Sequence, residues 1–70
     1  MSVEYLHVIY KKGSQTVLAD DDPVGVTNHT LMLPAGTYDI TLDGTGYAPK
    51  TQSVTLTDTS IMAPEIITFT

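Results

Sequence analysis

The run Asp20-Asp21-Asp22, followed at a short interval by Gly25, is the arrangement in this chain with the clearest potential for chemistry. Hard cations such as calcium are held by several carboxylate and carbonyl oxygens on one turn of chain, with a glycine at the bend. Set against a calcium loop, Asp20 and Asp22 take the first two ligand positions and Gly25 the glycine, but Val24 and Leu31 stand where further oxygens are required. The run is therefore not an EF-hand. It reads as a solvated acidic turn, and no metal ligands are assigned. His7 and His29 are also suited to ligation or general base work, but they sit on different segments with no cysteine in the chain and no serine in a nucleophile-elbow context. No catalytic or cofactor-binding residue follows from them.

The remaining short patterns have plainer readings. Asn28-His29-Thr30 fits the glycosylation tripeptide, which is short enough to arise by chance. Gly44-Thr45-Gly46 lacks the third glycine and the following helix of a dinucleotide loop, since Pro49 comes next, so it is a turn. Tyr47 has the flat ring that stacks on a sugar, but a tyrosine beginning a strand more often packs against its sheet.

Composition narrows the function classes. The chain has 70 residues, a net charge of -5, three cations (Lys11, Lys12 and Lys50) and no arginine. Phosphate backbones are bound by neutralising several charges with Lys and Arg, so nucleic acid is a poor partner and anionic lipid would repel the chain. No apolar run approaches the length of a membrane span, and the N-terminus has no signal-peptide pattern. The expectation is a cytoplasmic protein as written, or a cell-envelope one if the chain is excised from a longer exported protein. The absence of cysteine removes disulfides and zinc-thiolate sites as sources of stability. One thin core must suffice, helped by association if necessary.

The elements that hold these residues read as strands. Twelve threonines suit the wet face of a sheet. In Leu31 to Leu42, Leu31, Leu33, Tyr38, Ile40 and Leu42 alternate with polar residues on both sides of Pro34-Ala35-Gly36, which predicts a tight antiparallel hairpin. Val3 to Tyr10 is apolar on both faces: Leu6, Val8 and Tyr10 with Glu4 on one, and Val3, Tyr5 and Ile9 with His7 on the other. Only one can line a thin core. Thr16 to Ala19 is a short strand, Val24 to Asn28 an irregular link, and Tyr47 to Thr57 a strand with Val54 and Leu56 inward. Ile66 to Phe69, set off by Pro64, has Ile67 and Phe69 inward. The sum is one domain over residues 1–70, all-β, a small antiparallel β-sandwich of six or seven short strands with no substantial helix.

The order Asp22-Pro23-Val24-Gly25-Val26-Thr27, then Leu31-Met32-Leu33-Pro34-Ala35-Gly36-Thr37-Tyr38, then Gly46-Tyr47-Ala48-Pro49 resembles a PEGA domain over roughly Val17 to Phe69. Carboxypeptidase-regulatory-like and transthyretin-like sandwiches share the Pro-x-Gly reversal and the Gly-Tyr strand start. Pro34 and Gly36 match the family's signature, whereas Ala35 and Thr37 replace its glutamate and alanine, and Asn28 replaces a proline after Thr27. The resemblance implies a non-catalytic β-sandwich module of prokaryotic envelope and surface-layer proteins, often joined to other domains or repeated. The expectation is a non-enzymatic interaction or presentation module whose contact face is Val3, Tyr5, His7 and Ile9. The partner would be another protein, or a second copy joined through the first strand. Two other readings stay open: a self-assembling phage virion or envelope-lattice subunit, and a carbohydrate- or calcium-binding module at Tyr47 or Asp20 to Asp22.

Overall fold

The computed structural model describes Val3 to Thr70. Seven strands follow in chain order: β1 (Val3–Tyr10), β2 (Thr16–Ala19), β3 (Asp22–Val26), β4 (Thr30–Pro34), β5 (Gly36–Leu42), β6 (Gln52–Leu56) and β7 (Glu65–Phe69). They form a three-stranded sheet in the order β4-β1-β7 and a four-stranded sheet in the order β3-β2-β5-β6. Every strand carries β-branched residues, and β1, β5 and β7 aromatic ones as well, both of which favour the extended pleat. Every pairing is antiparallel except β1 with β7, which is parallel.

The inner faces meet in one core. Leu6, Val8 and Tyr10 of β1, Leu31 and Leu33 of β4 and Phe69 of β7 pack against Val17, Ala19, Ile40, Leu42, Val54 and Leu56 of the other sheet. Period-2 burial along β1 places Glu4 with its inward set and leaves Val3, Tyr5, His7 and Ile9 outward.

Three expectations are corrected. Leu31 to Leu42 is not a hairpin, because β4 pairs with β1 while β5 pairs with β2 and β6. Pro34-Ala35-Gly36 carries the chain from one sheet to the other, with Pro34 opposite Val3 and Gly36 opposite Leu56. Leu31 and Leu33 thus face Ile40 and Leu42 across the core, a placement that satisfies the same alternation as a hairpin and buries more. The Tyr38 hydroxyl donates to Pro34 O at 2.6 Å and holds this corner. Secondly, the link before Asn28 is a strand: β3 pairs antiparallel with β2, shifting register between Val17 and Leu18. Pro23 is tolerated because β3 is an edge strand, where a missing N–H breaks no central ladder. Thirdly, the strand expected from Tyr47 is confined to Gln52–Leu56.

Buried polar side chains tie the turns to the sandwich. Thr27, fully buried, accepts from Gln15 N and donates to Gly13 O, each at 3.0 Å, so the turn after β1 is fastened to the end of β3. Asn28 takes the left-handed conformation (φ 66°) and pairs its amide with both backbone groups of Tyr10, at 3.0 and 2.9 Å. Glu4 Oε1 accepts from Thr59 N at 2.8 Å and from the Thr59 hydroxyl at 2.7 Å, and that hydroxyl also accepts from Tyr5 N. This clasp anchors the β6–β7 connection to the start of β1.

Two outcomes follow. Gly25 lies against Leu31, and a Cβ there would overlap Leu31 Cδ2. Gly25→Ala is expected to cost about 1–3 kcal/mol of stability, read as a lower urea midpoint; an unchanged midpoint would show that the close approach is not needed. The Glu4 carboxyl is held below its ordinary 4.5, first by the Thr59 backbone N–H and then by its hydroxyl, against the opposing effect of burial. A depressed folded-state pKa stabilises the fold above the unfolded value and loses that contribution as pH falls through the folded one. Glu4→Gln should therefore be less stable than the parent near neutrality, with the gap closing in acid. A gap that stays constant with pH would contradict the clasp.

Candidate protein-contact face

The outer surface of the three-stranded sheet is assembled from alternate residues of three strands. β1 contributes Val3, Tyr5, His7 and Ile9, which the sequence singled out. Register adds Pro34 beside Val3, Met32 beside Tyr5 and Thr30 beside His7 from β4, and Ile66 beside His7 and Thr68 beside Ile9 from β7. Val3, Met32 and Ile66 are 51%, 66% and 57% exposed, while Tyr5, His7 and Ile9 are half-buried by their neighbours. None of these nine residues carries a formal charge, and the His7 ring lies 3.3 Å from the Thr30 hydroxyl through Nδ1.

The opposite outer surface differs. On β5 and β6 it presents Thr37, Asp39, Thr41, Ser53 and Thr55, with the Thr37 and Thr55 hydroxyls 3.0 Å apart. Hydroxyls and carboxylates of this kind are hydrated at little cost, so that sheet suits water and the first does not. Sequence reasoning missed Met32 and Ile66. Their signal was present in Leu31-Met32-Leu33 and in Ile66-Ile67, where apolar residues occupy both parities of a strand.

The other singled-out residues stay apart from this face or from one another. Asp20 and Asp21, both at positive φ (50° and 71°), form the two-residue turn between β2 and β3. The Asp20 carboxylate accepts from Asp39 N at 2.9 Å, which fixes the turn against β5. Among the described residues no three His, Asp or Glu side chains converge as a metal-binding group. His29 is exposed in the turn before β4, and the Asn28 amide of the glycosylation tripeptide is engaged by Tyr10. Tyr47 packs its ring on Phe69, with centroids 5.5 Å apart and planes at 80°. It borders a half-open cleft of about 350 Å3 with Thr41, Gly44, Thr45, Gly46, Lys50 and Thr51.

No curated protein and no solved structure matches the chain. The family model described as PEGA domain matches residues 10–63. That span includes the inter-sheet corner at Pro34 and Gly36, the β2–β3 turn and the Tyr47 loop, and by this match the chain belongs to the PEGA domain family.

Proposed function

We propose that this PEGA domain is a non-enzymatic interaction or presentation module that docks another protein on the outer face of its three-stranded sheet. The observation that carries the reading is the contrast between the outer face of β4, β1 and β7, which is uncharged and largely apolar, and that of β5 and β6, which is hydroxylated and carries Asp39. Val3, Tyr5 and Ile9 form the centre, Met32 and Ile66 the flanks, and His7 offers a ring nitrogen for a hydrogen bond. The partner that fits presents an apolar, uncharged strand or helix face, because a charge set against this surface would lose its hydration without a counter-charge.

Magnitudes favour a modest affinity. Burying five such side chains yields on the order of ten kcal/mol before costs, and association itself consumes roughly 4–15 kcal/mol. Docking of this size suits a partner that is abundant or tethered nearby.

The double variant Tyr5→Ser with Ile9→Ser tests the face. The parent is expected to capture a protein from host extract whose purified form then shifts the backbone amides of Val3 to Ile9, Met32 and Ile66. The variant should fail to do so while keeping a cooperative thermal transition. If the variant unfolds, these side chains belong to the core; if it binds as the parent does, the docking surface lies elsewhere.

A further inference from the structure

The parallel pairing of β1 with β7 sets two complementary features at opposite ends of the same pair of strands. At the end where β7 begins, Ser60 and Ala63 bond reciprocally through their backbones at 3.2 and 3.1 Å, and the Ser60 hydroxyl also accepts from Ala63 N. The two residues at the tip of this turn are Ile61 and Met62, exposed at 69% and 90%. The turn is rigidly mounted, since Thr59 beside it is held by Glu4 and Tyr5. Polar residues ordinarily occupy a two-residue tip, and two large aliphatic side chains in water there are unfavourable for the isolated chain. Asp58 and Glu65 flank this knob.

At the other end, where β1 and β7 finish, lies a half-open hollow of about 300 Å3 lined by Lys11, Lys12, Thr68, Phe69 and Thr70. Its walls are predominantly apolar: Phe69, almost wholly buried, is among them, and lysine stems can lie along an apolar surface while their ammonium groups stay in water. Lys12 donates to Gly46 O at 3.1 Å, which draws in the loop that carries Lys50. Lys11 and Lys12 thus stand at the hollow, while Lys50 lines the cleft beside Tyr47, and Asp43 is the one carboxylate in residues 43–51.

We propose that the chain associates head to tail with a second copy of itself, Ile61 and Met62 of one molecule entering the Lys11–Lys12–Phe69 hollow of the next. Shape and charge agree: an apolar knob meets an apolar hollow, and Asp58 and Glu65 come to face Lys11 and Lys12. Because knob and hollow are different surfaces, the contact is heterologous and does not close after two molecules, so it extends along the β1–β7 direction. The buried patch is small beside the roughly 800 Å2 per partner of a stable complex, so assembly is reversible and rises with concentration. The hollow adjoins the sheet face at Thr68, which stands beside Ile9, but none of Val3, Tyr5, His7 and Ile9 lines it.

Sedimentation equilibrium over a hundredfold range of concentration, on the full chain and three variants, tests it. The parent's average mass should climb past that of a dimer without a plateau. Ile61→Ser with Met62→Ser removes the knob from an exposed tip and should weaken association roughly tenfold or more. Lys11→Glu with Lys12→Glu should do the same from the other side. Mixed together, these two variants should form pairs of one each that grow no further, because one retains a hollow and the other a knob. Tyr5→Ser with Ile9→Ser should associate as the parent does. A parent that stays monomeric, a knob variant that associates undiminished, a mixture with no pairs, or loss of association only in the Tyr5/Ile9 variant would each overturn the proposal.

Discussion

The structure depends on β1 more than on any other element. It is the one strand of its sheet with neighbours on both sides, antiparallel to β4 and parallel to β7, and it supplies Leu6 and Val8 to the centre of the core with no exposure at all. Both of its ends are also anchor points. Glu4 receives Thr59 at one, and the backbone N–H and C=O of Tyr10 bond the Asn28 side-chain amide at the other. A short chain without disulfides has little apolar area to bury, and it meets that limit by concentrating the fold's connections on a single central strand.

Around that strand the turns are fastened by short polar side chains. Thr27, Asn28, Thr59 and Asp20 each satisfy backbone groups that no strand partner reaches. Such groups would otherwise be left unpaired wherever the sandwich closes, at a cost comparable with a lost hydrogen bond each. In so small a protein that cost would consume much of the net stability. Fixed turns also explain how a loop can hold two aliphatic side chains out in solvent, since the hydrogen bonds beneath Ile61 and Met62 oppose their collapse onto the surface.

The surfaces sort accordingly. Hydroxyls dominate the outer face of β5 and β6, Lys11 and Lys12 stand where β1 and β7 end, and uncharged, largely apolar residues cover the three-stranded sheet. The chain belongs to the PEGA domain family, whose model covers most of its length.

Alternation alone determined much of this protein. Leu6, Val8, Val54, Leu56 and Phe69 were legible as inward because a pleated strand shows one parity to each face, and the same rule exposed the second apolar face of Val3, Tyr5 and Ile9. A break at Pro34-Ala35-Gly36 and a turn at the aspartate run were visible in their residue types, although the first is an inter-sheet corner and not the hairpin reversal its chemistry predicts. Pairing was not. A period of two says which residues share a face but not which strand lies alongside, so Leu31 to Leu42 satisfied a hairpin and an inter-sheet corner equally well. Only the tertiary structure decided that β4 joins β1, that β7 runs parallel to it, and that Lys11 and Lys12 therefore stand at the far end from Ile61 and Met62. Those juxtapositions arise from contacts between residues far apart in the chain, and no local pattern encodes them.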